Sequence, residues 1–168
     1  MTTKATDQQA GKESVKTSRR RKRILAVASG GGHWVQLRRL APAFDDHDVA
    51  YLTTEPSYRS EVAPARFYTV KDASRWNKFG LLRQAFQILW ILLRLRPETI
   101  ITTGAAPGFF AVRMGKWLGA RCVWLDSIAN AEKLSLSGER AGPVADLWLT
   151  QWEHLASQDG PKCRGSVL

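Results

Sequence analysis

A chain of 168 residues has room for one α/β domain with a substantial core and excludes two full domains of that kind. Its net charge of +10 does not point to nucleic acid, because residues 1–23 hold eight basic and two acidic residues while the remainder carries only +4. Cys122 and Cys163 are the only cysteines, the usage of a reducing compartment, and neither belongs to a metal-ligand spacing.

Residues 1–22 read as a basic tail. Met1 to Thr17 is polar with almost no large apolar side chains and is expected to be disordered. The run Arg19 to Arg23 that follows can hold anionic lipid headgroups, at roughly 1 kcal/mol per basic residue near the surface, or can simply be solvated. An export signal is excluded, because Gly30, Gly31, Gly32 and His33 end the apolar run too soon.

Ile24 to Leu40, ILAVASGGGHWVQLRRL, is the stretch that organises the chain. Ile24 to Ala28 suits a strand buried on both faces, and Val35, Leu37 and Leu40 fall near helical spacing, with Arg38 and Arg39 on another face. Between them, Gly30, Gly31 and Gly32 permit backbone conformations closed to side chains, so amide N–H groups can converge on an anion at a helix start. A diphosphate fits such a loop, with Ser29 beside it. The P-loop pattern fails for want of a following Lys-Ser or Lys-Thr. The dinucleotide fingerprint fails at Val35, where its third glycine belongs, although Glu55 stands where a ribose-binding acid would, which keeps a nucleotide-cofactor enzyme open.

Val49 to Thr54 reads as the second strand, closing a right-handed βαβ unit. A short helix is expected over Tyr58 to Val62 and a third strand over Phe67 to Val70. Lys78 to Arg96 is helical, with Arg83, Gln87 and Arg94 on one narrow stripe and apolar side chains over most of the remaining circumference. Its longest uncharged run, Gln84 to Leu93, is ten residues and falls well short of the about 20 needed to span a bilayer. Two readings remain for it: a core helix, or an interfacial helix in which Trp90, Arg83 and Arg94 contact the membrane.

Thr99 to Thr103 is a further strand, leading into a second small-residue loop from Gly104 to Gly108 and a helix over Phe109 to Leu118. Two strand–loop–helix units in a mostly parallel sheet can place their loops face to face where strand order reverses. Arg121 to Leu125 is a strand ending at Asp126-Ser127. Leu134 to Gly138 reads as a hydroxyl-rich loop, Asp146 to Thr150 as the last strand, and Gln151 to about Ser157 as a helix. Gly160-Pro161 closes the ordered chain, leaving residues 159–168 as a flexible tail after a Rossmann-like domain at 23–158.

His33 is the foremost chemical candidate, since a helix N-terminus disfavours the charged imidazole and suits a neutral general base or a phosphate donor. Asp126 is the second, as a strand-end acid that can also cap a neighbouring helix, with Ser127 and Ser137 nearby. No Ser-His-Asp order, nucleophile elbow or metal-ligand cluster is present, so hydrolysis is disfavoured and no cofactor or metal is assigned.

Ser29 to His33, Leu95-Arg96-Pro97 through Gly104 with Pro107-Gly108, and Trp124 to Asn130 with Leu134 to Gly138 together resemble the PssD/CpsF-like group of bacterial polysaccharide-synthesis proteins. That group is related to the membrane-associated subunit of the split UDP-GlcNAc transferase of the eukaryotic dolichol pathway. The resemblance covers roughly Arg23 to Ser157. It implies half of a GT-B glycosyltransferase, similar to the N-terminal, acceptor-binding domain of MurG, with the nucleotide-sugar held by a separate PssE-like chain. The glycine loops would then bind the diphosphate of a polyprenyl-diphosphate-linked sugar, and His33 matches the histidine of the family's glycine-rich loop. It further implies a peripheral protein on the cytoplasmic face of the plasma membrane, attached to an anionic surface through Arg19 to Arg23, Lys78 to Arg96 or the partner.

Overall fold

The computed structural model describes residues 20–73 and 76–167, so most of the basic tail, Arg19 included, lies outside the described residues. Seven strands form one all-parallel sheet in the order β3-β2-β1-β4-β5-β6-β7. In chain order these are β1 (Arg23–Val27), β2 (Asp48–Thr53), β3 (Arg66–Thr69), β4 (Thr99–Thr102), β5 (Arg121–Leu125), β6 (Leu147–Thr150) and β7 (Lys162–Cys163). Among the described residues four α-helices cover it: α1 (Gly32–Leu40), α2 (Lys78–Leu95), α3 (Ala105–Trp117) and α4 (Leu136–Ala141).

β1 is central and apolar because both its faces are covered. Leu25 and Val27 join a core with Ile88, Leu92, Ala111 and Val112 of α2 and α3, whereas Ile24, Ala26 and Ala28 pack with Trp34 and Leu37 of α1. Ile24 pairs with Val49 of β2 on one side and with Thr99 of β4 on the other. α3 lies close against β4 because residue 108 is glycine, since a Cβ there would stand 2.2 Å from Thr102 Oγ1.

Helix α1 turns a different face inward from the one expected. Val35 is 48 % exposed while Gln36 is buried. The phase is set by Trp34, whose ring stacks on Tyr58 at 4.8 Å, and by Gln36, which donates to Ser127 Oγ at 3.1 Å.

Helix α2 is a core helix on one face and leaves a second apolar face exposed. Gln84, Ala85, Ile88, Ile91, Leu92 and Leu95 are buried, and Phe79, Leu82, Phe86, Trp90 and Leu93 are exposed. Asn77 caps its start by accepting from the Gly80 N–H at 2.8 Å, and Arg96 in the left-handed region ends it before Pro97. Arg83 and Arg94 are exposed beside the apolar face, the Arg94 guanidinium lying 4.9 Å from the centre of the Trp90 ring. Among the described residues no helix is long and apolar enough to cross a membrane.

Three expectations are corrected. The Leu134 to Gly138 segment contains the start of α4, with the Ser135 hydroxyl accepting from Gly138 N–H at 2.9 Å. The helix expected over Gln151 to Ser157 is a single 3-10 turn at Glu153–Leu155, because Trp152 Nε1 donates to Ile128 O at 2.9 Å and a His154 nitrogen bonds Ala131 O at 2.7 Å, drawing the chain across the sheet end. The segment read as a flexible tail instead carries β7, paired in parallel with Leu149 and Thr150, and Val167 N–H donates to Gln151 Oε1 at 2.8 Å.

Candidate functional site

Strand order reverses between β1 and β4. From β1 the chain moves through α1 to β2, from β4 it moves through α3 to β5 on the other side, and the two loops part above the carboxyl ends of the central strands. The loops are tied to each other across that point. The His33 imidazole Nδ1 lies 2.7 Å from the carbonyl oxygen of Thr103, and the Thr103 hydroxyl donates to the His33 carbonyl, also at 2.7 Å.

Both helices that start here begin on glycine. Gly31 (φ 69°) caps α1 and Gly104 (φ 121°) caps α3, and neither helix receives a side-chain hydrogen bond at its first turn. By contrast α2 and α4 are capped by Asn77 and Ser135. The first-turn amides at the switch point are therefore left for water or an external anion, with the helix dipoles favouring negative charge.

The set of available amides is narrower than the three glycines suggest. Gly30 N–H donates to Thr54 Oγ1 and Gly31 N–H to the Tyr58 hydroxyl, each at 3.1 Å. What remains is the first turn of α1, Gly32 to Trp34, and that of α3, Ala105 and Ala106. Beside them opens a cavity of about 410 Å³ lined by Ser29, Gly30, Ala105 and Pro107 among others, whose charged lining groups are Glu55 and Asp72. Two carboxylates inside the cavity suit hydroxyl donors and disfavour an anion there, which leaves the amide rim as the place for negative charge. His33 is partly buried against Gly104 and is not on the cavity wall.

Glu55 does not stand free for a ribose. Its carboxylate accepts from Ser57 N–H at 3.1 Å and Ser57 Oγ at 2.9 Å, and these bonds hold it below the usual carboxylate range.

Asp126 is 1 % exposed, and its carboxylate organises its own loop. Oδ1 accepts from Ser127 N–H at 3.0 Å and Asn130 Nδ2 at 2.9 Å, and Oδ2 accepts from Ser135 N–H at 2.9 Å. Ser127 Oγ accepts from Gln36 Nε2, and Gln36 Oε1 accepts from Gln151 Nε2 at 2.8 Å, which also donates to Asp126 O at 3.0 Å. This buried chain fastens the first helix to the ends of β5 and β6. Gly108 is buried against Thr102, and Ser137 lines an apolar groove with Leu81, Phe109 and Phe110.

The structure thus brings together Ser29 to His33 and Gly104, and sets Asp126 and Ser127 beneath them as supports. Thr103, Gln36 and Gln151 were not singled out from sequence. The one available signal was a glutamine three residues beyond His33, between Val35 and Leu37.

Fold and site define a Rossmann-like, all-parallel α/β domain of the kind that forms half of a GT-B enzyme, with its ligand crevice at the β1/β4 switch point. It is similar in fold to the MurG of Acinetobacter baumannii (TM-score 0.69, 15 % identity), covering 86 % of this chain and 46 % of that one. A UDP-N-acetylglucosamine 2-epimerase from Rickettsia bellii aligns with a TM-score of 0.62 at 12 % identity, over 80 % of this chain and 40 % of the epimerase. The chain therefore spans less than half the length of these solved structures. The family described as oligosaccharide biosynthesis protein Alg14 like matches residues 53–166, and the chain belongs to it. The "UDP-N-acetylglucosamine transferase subunit alg14" of Schizosaccharomyces pombe is 27 % identical over 180 residues, covering 88 % of this chain and 85 % of that protein. The Candida albicans protein of the same description is 33 % identical over 73 residues, or 40 % of this chain and 33 % of its own length. The matched family span includes Gly104, Asp126, Ser127 and Ser137, while Ser29 to His33 precedes it.

Asp126→Ala strands three N–H donors in a buried loop and should lower stability by about 2–4 kcal/mol, read from the urea unfolding midpoint. An unchanged midpoint would contradict the supporting role given to this carboxylate.

Proposed function

We propose that the chain is the acceptor-binding, membrane-associated subunit of a heteromeric inverting glycosyltransferase. In this reading it adds GlcNAc or another hexose from a UDP donor to a polyprenyl-diphosphate-linked sugar in exopolysaccharide or capsule synthesis, as in the PssD/CpsF-like group. The observation that carries it is the pair of uncapped, glycine-started helices facing one crevice at the switch point. Membership of the Alg14-like family and the GT-B half-fold support the same reading, and a domain with one wall of the cleft needs a donor-binding, PssE-like partner for the other.

The acceptor's diphosphate rests on the first-turn amides of α1 and α3, while the hydroxyls of its sugar reach Glu55 and Asp72 in the adjoining cavity. Gly108 lets α3 come close enough to β4 to place its amides, and Ser137 stands on the apolar groove where the lipid leaves the cleft. A hydroxyl of the same sugar that stays outside the cavity gives its proton to His33 as its oxygen bonds to the anomeric carbon and the bond to UDP breaks, inverting that carbon. Asp126 acts by holding the loop that carries Ser127, and the partner stabilises the departing UDP. Holding both reactants in one cleft supplies several kcal/mol of the barrier.

The exposed face of α2 is assigned to the membrane, at the cytoplasmic side of the bilayer. Phe79, Phe86 and Trp90 insert their rings at the acyl boundary, while Arg83 and Arg94 meet anionic headgroups.

Sugar transfer from UDP-GlcNAc to a lipid-linked diphosphate sugar should require both this chain and its partner, and His33→Ala should lower it by at least a hundredfold. Robust transfer by the chain alone would overturn the split-enzyme reading, and normal transfer by His33→Ala would reduce the chain to a scaffold.

In vesicle flotation, replacing Phe86 and Trp90 by serine should abolish binding, whereas Arg83→Gln and Arg94→Gln should each weaken it by roughly fivefold on anionic vesicles only. Unchanged flotation of the serine variant would remove α2 from the membrane.

A further inference from the structure

We propose that Thr103 is a positioning residue that fixes which nitrogen of His33 carries the proton. The inference rests on the reading of His33 as the base, and it deepens that reading by naming the group that prepares it.

A peptide carbonyl oxygen can only accept a hydrogen bond. His33 Nδ1, at 2.7 Å from Thr103 O, must therefore bear the hydrogen, and in the neutral ring the lone pair is left on Nε2. Free histidine side chains favour the opposite form, with the hydrogen on Nε2. Without the carbonyl, most of the neutral ring would present a donor where a proton acceptor is needed.

Three further features make Thr103 suited to this task. It is fully buried, and its N–H faces Val27 O at 3.4 Å at the end of β1, so the carbonyl is carried by the central strands instead of a loose loop. Its hydroxyl donates to the His33 carbonyl at 2.7 Å, so the same residue grips both the ring and the backbone of the histidine. Next to it, Gly104 clears the space for the ring: a Cβ there would lie 3.0 Å from His33 Cε1 and 3.2 Å from Nδ1. The φ of 121° at this position is itself one that side-chain-bearing residues rarely adopt.

The ring is thus held by a carbonyl, a backbone anchor and a glycine floor, all from the β4 loop. The contact that joins the two loops is also the contact that sets the tautomer.

The test is long-range proton–nitrogen NMR on the full chain labelled with ¹⁵N-histidine, at a pH where the ring is neutral. Wild-type His33 should show a pyrrole-type Nδ1 and a pyridine-type Nε2. Gly104→Ala, which strains the backbone at φ 121° and crowds the ring at Cε1 and Nδ1, and Thr103→Val, which removes the anchoring hydroxyl, should each bring up the Nε2–H form, and Thr103→Ser should keep the wild-type signals. In the two-chain transfer assay Thr103→Val should lower kcat by tenfold or more with less than a twofold change in KM for the acceptor. An Nε2–H signal in the wild-type protein overturns the proposal even if no variant folds, as do wild-type signals in both Thr103→Val and Gly104→Ala. The base reading fails separately: if His33→Gln transfers sugar normally, His33 is not the base, while the NMR signals still decide what Thr103 does.

Discussion

The parallel sheet reverses its winding between β1 and β4, and the reciprocal pair of 2.7 Å hydrogen bonds between His33 and Thr103 holds the two departing loops together at that point. Reversal alone opens a crevice; it does not set its width. Here the width is set by a ring lying on a glycine, with the imidazole bonded to one carbonyl and a threonine hydroxyl returning the bond. Everything assigned to the site is arranged about this contact: the open first turns of α1 and α3, the cavity with Glu55 and Asp72, and the supporting loop after β5.

A second set of buried polar contacts carries the constraint outward. Gln36 sits on α1 three residues beyond His33 and bonds to Ser127 and Gln151, and Gln151 in turn holds the Asp126 carbonyl and the Val167 N–H. Such a network is costly when partly satisfied and rigid when complete, so it fixes the tilt of α1 relative to β5 and β6. On the other face of the sheet, α2 divides its apolar surface between the core and the exterior. Two of its glutamines hold Lys71, the buried Gln84 donating to the carbonyl at 2.9 Å and the half-buried Gln87 accepting from the N–H at 3.2 Å. The strap at Asp72 and Ala73 that lines the cavity therefore hangs from α2, the helix proposed to meet the membrane.

Much of this was legible in sequence where the physics is local. The short β-branched runs between glycine and proline punctuation give six of the strands, and the twin strand–glycine–helix units predict facing loops at a switch point. What was not legible depends on partners distant in the chain. Gln36 pairs with residues 91 and 115 positions away, and Thr103 with one 70 away, so no window of sequence reveals them. The same cause misleads on the face of α1, where Trp34 and Gln36 displace Val35 from the core. The turn at Glu153–Leu155 looked helical because its composition is, and side-chain bonds to the 128–131 loop override it. α4 was missed for another reason: its local signal, Ser135 three residues before Gly138, is present but short and buried in a run of hydroxyls.

The central claim is that the amides of the two glycine-started helices hold the acceptor, while the donor belongs to the partner. The most direct measurement is amide chemical-shift mapping of the ¹⁵N-labelled chain with a short-chain prenyl-diphosphate sugar and, separately, with UDP-GlcNAc. The account predicts shifts at Gly32, His33, Trp34, Ala105 and Ala106 with the prenyl-diphosphate sugar and none with UDP-GlcNAc. Shifts at those amides with UDP-GlcNAc, and silence with the lipid-linked sugar, would contradict it.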